Sequence, residues 1–162
     1  MGYTAGKWSE WYPDVLNKEN KLVVNGKYLW QNGWWNQHQR LIKELNMQPQ
    51  IPIILQGDLH MTAFGELYKS GDLSLQRPIT LLGVGTLGSG ERGFPSSVRG
   101  TGAKIPKWLV VNEVLKPIEK NGYTIIDISS QSTNIKMYTW KPGEKSVELK
   151  LEKSIKKRPS KS

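Results

Sequence analysis

The sequence predicts a mixed α/β chain with antiparallel strands toward the C-terminus, and three observations carry that expectation. Apolar residues recur at helical spacing over 34–45. That pattern leads directly into the apolar run Ile51-Pro52-Ile53-Ile54-Leu55, which is rich in β-branched residues and is followed by a glycine, the mark of a buried strand ending at a tight turn. Polar and apolar residues then alternate over 134–140 and 147–151, the pattern of a sheet with one wet face.

Taken in order, the opening stretch to residue 29 is rich in Gly, Asn and Lys and reads mainly as loop. In the helix, Trp34, His38, Leu41, Ile42 and Leu45 share one side, while Gln37, Gln39, Lys43 and Glu44 face water. Asn32 suits the N-cap, and Pro49 stops the helix because the residue before a proline is pushed out of helical geometry. Short strands are expected at 64–69 and 79–84, separated by turns at Ser70-Gly71-Asp72 and Arg77-Pro78. A Gly-rich stretch fills 83–102. A turn at Asn121-Gly122 introduces a strand at 123–128, and Lys141-Pro142-Gly143 turns between the last two strands.

With 162 residues the chain can bury one core. It has no cysteine, which excludes disulfides, catalytic thiols and thiolate metal sites. No run of about twenty apolar residues is present, so no membrane span is expected. The net charge of +9 suggests a nucleic-acid partner, but its location argues against one. Residues 145–162 hold seven basic side chains against Glu148 and Glu152, a surplus of five. The expected organisation is therefore a domain over 1–152 and a basic, disordered tail over 153–162.

Gly83-Val84-Gly85-Thr86-Leu87-Gly88 matches the dinucleotide fingerprint by letter. The fingerprint works only when a helix opens there and aims its amides at a pyrophosphate, and Ser89-Gly90-Glu91-Arg92-Gly93-Phe94-Pro95 cannot open one of useful length. A loop at the rim of a site is the reading that remains. The seven tryptophans suit core packing more than ligand stacking, since Trp30, Trp34 and Trp35 cluster at the start of the helix.

Chemistry is expected at Gly57-Asp58-Leu59-His60, immediately after the predicted strand. Asp58 and His60 stand two residues apart, so a carboxylate and an imidazole can lean toward one hard or borderline cation. The plain alternative is a turn-capping aspartate beside a buried, satisfied histidine. His38, on the apolar face of the helix, reads first as a core residue.

Together these segments resemble the metallophosphoesterases, specifically the alkaline-phosphatase-D-like (PhoD-like) branch. The resemblance is carried by Trp30-Gln31-Asn32-Gly33-Trp34, Gln37-His38-Gln39-Arg40-Leu41, Ile53 through His60, Gly93-Phe94-Pro95-Ser96 with Arg99-Gly100, and Glu119-Lys120-Asn121-Gly122-Tyr123. It implies the C-terminal half of a calcineurin-like four-layer α/β/β/α sandwich. It also implies two-metal, in-line hydrolysis of a phosphoester substrate. Asp58 and His60 are the implied metal ligands, and His38 and Arg99 the implied candidates for contacting phosphate or supporting the metal shell. The divalent ion could be Fe, Zn, Mn or Ca.

The resemblance is partial. The family's early Asp, its Gly-Asp and its Asn-His motifs have no counterpart before residue 57; Gly71-Asp72 lies downstream in a predicted turn. The expectation is a truncated reading frame or split-gene product, inactive alone, whose partner is the missing N-terminal half. The family is often exported, yet Met1 to Lys7 lack the apolar core of a secretory signal, so compartment stays open. A second expectation is a non-catalytic module that contacts a polyanion through aromatic surfaces and the basic tail.

Overall fold

The computed structural model describes residues 2–5, 32–106 and 108–157, with the side chains of 5, 32–34, 91 and 99 excepted. The described chain is a mixed α and β protein dominated by antiparallel strands. Strand β1 (Thr4–Ala5) and helix α1 (Asn32–Asn46) precede β2 (Ile53–Gln56), β3 (Thr62–Ser70) and β4 (Leu73–Val84). A single 3-10 turn at Glu91–Gly93 and the short α2 (Pro95–Arg99) lead to β5 (Ala103–Lys104) and β6 (Leu109–Ile118). Strands β7 (Asn121–Ile128), β8 (Ser132–Trp140) and β9 (Glu148–Lys156) complete it.

The strands form a four-stranded sheet in the order β2-β4-β3-β6, a three-stranded sheet β7-β8-β9, and a small β1-β5 ribbon. Only the β2–β4 pair is parallel. Helix α1 packs on one face of the larger sheet and the smaller sheet on the other. On the helix side Ile42 shares a buried cluster with Ala63, Leu67, Ile79, Leu81, Leu109 and Tyr3. On the opposite side Phe64 and Leu82 meet Ile135 and Met137. Strand β3 therefore lies between two apolar layers, which is why Thr62, Ala63, Phe64, Gly65 and Leu67 are all buried rather than alternating. Strand β8 has one covered face, and its burial alternates residue by residue.

Four expectations need correction. Arg77-Pro78 is no turn: β4 runs through it without a break. The β3–β4 ladder is irregular between Leu67 and Lys69, and β2 pairs with β4 only from Thr80 onward. Pro78 thus falls where neither neighbour needs its missing N–H. Asn121 and Gly122 are not a turn either, since they pair with Trp140 and Thr139 inside β7. Gly122 is small because a Cβ there would lie 2.5 Å from Thr62 Oγ1 and 2.6 Å from the Tyr138 carbonyl oxygen. Strand β6 adds to the strands the sequence predicts. Finally, β9 continues to Lys156, four residues into the expected tail, and Lys153 Nζ reaches Glu66 Oε1 at 2.7 Å between the two sheets. Residues 158–162 lie outside the described residues, as do residues 6–31 with Trp8, Trp11, Tyr12 and Trp30.

Candidate metal site at the end of the parallel strand pair

Strand β2 ends at Gln56, whose amide ties down the start of the chain. Its Oε1 accepts from the Gly2 and Tyr3 N–H groups, each at 3.1 Å, and its Nε2 donates to the Tyr3 carbonyl at 2.7 Å. The backbone then bends sharply. The Leu59 N–H donates to the Gly57 carbonyl at 2.8 Å, closing a three-residue turn around Asp58. Asp58 has φ 66° and His60 has φ 46°, and they are the only non-glycine residues with positive φ among those described. A turn of this type with positive central φ is rare and strained, and each left-handed non-glycine residue costs on the order of 1–3 kcal/mol. Strain of this kind persists where surrounding structure imposes it, commonly at functional sites. Here it presents an exposed carboxylate that makes no hydrogen bond or ion pair among the described residues.

His60 is held from the opposite direction. Its Nδ1 lies 2.7 Å from the Gly93 carbonyl oxygen and 3.1 Å from Ser89 Oγ. A carbonyl can only accept, so Nδ1 carries the proton and the bare lone pair is on Nε2. That nitrogen makes no hydrogen bond among the described residues and is not buried. An imidazole whose one nitrogen donates to a backbone carbonyl while the other is free has the arrangement usual for a metal-ligating histidine. Support extends one layer further. The Ser89 N–H donates to Asn121 Oδ1 at 3.0 Å, and the Gly93 N–H to the Gly90 carbonyl at 2.8 Å. Gly93 has no room for a side chain, since a Cβ would run into Ser89 Oγ.

The rest of the Gly-rich loop is pinned by backbone bonds. Gly85 N–H donates to Met61 O at 3.0 Å and Gly122 N–H to Thr86 O at 2.8 Å. Gly85 sits at φ 90° against the Gly122 carbonyl, where no side chain would fit. Helix α2 is fixed to the end of β6 through Ser96, whose N–H and hydroxyl both donate to the Glu119 carboxylate. A cleft of about 580 Å³ beside α2, lined by Lys104, Glu113, Lys116 and Glu119 among others, does not take in Asp58 or His60.

The fold thus brings His60 to Gly93 and Ser89, and Ser89 to Asn121. It does not bring His38 there. His38 is 5% exposed, stacks on Trp35 with ring centroids 5.4 Å apart, and places Nε2 3.0 Å from Ser70 Oγ. Burial lowers its pKa from 6.5 to about 4. Ser70 ends β3 and His60 stands just before its start, so roughly 25 Å of strand separates the two histidines. The expected phosphate-side role for His38 is corrected: it is a neutral core histidine. Arg99 closes α2 by its backbone, and its side chain lies outside the described residues. Ser89 was not foreseen, because a contact 29 positions from His60 leaves no mark in local spacing.

Asp58 and His60 offer one hard oxygen and one borderline nitrogen, a donor set that fits a divalent cation such as Zn or Mn. No group of three or more His, Cys, Asp or Glu suited to a metal occurs among the described residues. A cation held there would need donors beyond this pair. Compared with known proteins, the chain matches no family model, no curated protein and no solved structure. Among the described residues no helix is long and apolar enough to cross a membrane.

Proposed function

We propose that this chain carries part of the active centre of a metal-dependent phosphoester hydrolase, with Asp58 and His60 as ligands. The observation that supports this most is the orientation of His60, with Nδ1–H committed to Gly93 O and Nε2 left bare, on a strained loop that also carries the exposed Asp58, which has no partner among the described residues. The loop follows the carboxyl end of β2 in the parallel β2–β4 pair, a favoured position for ligand sites in α/β sheets. The stacking of α1, the larger sheet and the smaller sheet is compatible with three layers of a calcineurin-like α/β/β/α sandwich.

In this reading Asp58 and His60 bind and orient the cation, and Ser89 and Gly93 hold the imidazole so that Nδ1 keeps its proton. When bound, the cation supplies Lewis-acid polarisation of phosphoryl oxygens. The remaining coordination positions must come from donors outside the pair, so hydrolysis is not expected of these two residues alone. Calorimetric titration with Zn²⁺ tests the proposal. The wild-type chain binds and Asp58→Ala/His60→Ala does not; equal affinity in the two proteins removes the assignment.

A further inference from the structure

The outer face of the smaller sheet carries aromatic chemistry that the metal loop does not use. Tyr123 and Tyr138 are cross-strand partners stacked at 4.9 Å, and Tyr123 meets Trp140 at 6.1 Å with the planes splayed by 52°. All three rings are half-exposed. The row is continuous with the candidate site. Trp140 lies directly opposite Asn121, whose side chain holds the Ser89 N–H, and Ser89 Oγ touches His60 Nδ1. The same end of the sheet carries Lys120, Lys141, Lys145 and Lys150 against Glu119, Glu144 and Glu148, a positive surplus of one, with Lys141 paired to Glu144 and Lys150 to Glu148. A row of rings edged by lysines suits a polyanion that also presents flat faces.

We infer that this end of the smaller sheet is a platform for single-stranded nucleic acid, with bases stacking along Tyr138, Tyr123 and Trp140 and the phosphodiester backbone led toward Asp58 and His60. The inference rests on reading that loop as a phosphoester site, and it names the substrate class. A duplex is excluded as the ligand, because its bases are already stacked and cannot meet the rings. Lysine contacts to phosphate make binding fall as salt rises.

The test is fluorescence anisotropy of a fluorescein-labelled oligodeoxythymidylate with the full chain in EDTA. Wild type binds, more weakly at higher salt. Tyr138→Ala and Trp140→Ala each weaken binding about tenfold, the scale of one lost base–ring stack. Trp140→Phe, which keeps a ring, retains most of it. Unchanged affinity in the two ring-to-alanine variants, or equal affinity for a blunt duplex or for heparin, overturns the platform. Zn²⁺ titration of the same proteins separates the two claims. Strand binding lost with Zn²⁺ binding intact overturns the platform alone. Strand binding intact without any Zn²⁺ binding supports the platform and overturns the phosphoester reading.

Discussion

His60 donates its Nδ1 proton to the carbonyl of Gly93 across 2.7 Å, joining the loop after β2 to the turn before α2. The bond selects the tautomer in which Nε2 faces outward as a base. Ser89 Oγ, at 3.1 Å, accepts from the same N–H while its own hydroxyl is directed toward the Gly90 carbonyl at 3.4 Å. Removing that support with Ser89→Ala is expected to weaken Zn²⁺ binding about tenfold, the low end for loss of a group that orients a metal ligand. Thermal unfolding of the metal-free protein separates this from a general loss of stability, since the variant should lose only about 1 kcal/mol.

Asp58 sits at φ 66° without being glycine. Asp58→Gly is expected to stabilise the metal-free protein by about 0.5–1 kcal/mol and to abolish Zn²⁺ binding. Urea denaturation and calorimetry on one preparation read both effects. A variant that is less stable than wild type would mean that the carboxylate has a structural role in the turn.

His38 links stability to pH. Its folded pKa of about 4 lies below the ordinary 6.5 because burial disfavours the charged ring. Between those values the unfolded chain binds the extra proton and the folded one does not, so unfolding is favoured as pH falls. The contribution is fully present above pH 6.5, declines through that window, and is gone near pH 4, for a total of about 3 kcal/mol. The difference in unfolding free energy between wild type and His38→Gln, measured from pH 7 to pH 4, should show this slope. Glutamine keeps an acceptor for Ser70 without a titrating group.

Gly122 distinguishes packing from turn chemistry. Gly122→Ala places a methyl against Thr62 Oγ1 and the Tyr138 carbonyl and should cost about 1–3 kcal/mol, as overpacking does. Gly143, in the Lys141 to Glu144 turn, has open space around it but φ 85°. Gly143→Ala is expected to cost about 1 kcal/mol through backbone strain alone. Urea midpoints of the two variants check the order.

Much of the fold was readable where one period dominated. Helix α1 was legible because His38, Ile42 and Leu45 repeat at its spacing, although Leu41, expected on the same side, is exposed, and β8 because a single covered face imposes strict alternation. Strand β4 was broken at Pro78 on paper because proline in a ladder normally ends it, and only the irregular β3–β4 register explains its tolerance. Strand β9 was cut short because Lys153 looked like a tail residue; its partner Glu66 is 87 positions away. The site was legible at Asp58 and His60, where strand, glycine, carboxylate and imidazole are neighbours in sequence. His38 was legible as a core residue from its face of α1; the phosphate-side role that the resemblance implied fails because where α1 docks along β3 is not encoded in local pattern.

The most direct measurement is the ¹⁵N spectrum of the two imidazoles, recorded by long-range ¹H–¹⁵N correlation with and without Zn²⁺. The account predicts that His60 carries its proton on Nδ1 in both states, that its Nε2 resonance shifts on adding Zn²⁺, and that His38 does not respond. A His60 signal indifferent to Zn²⁺, or one protonated on Nε2, would contradict it.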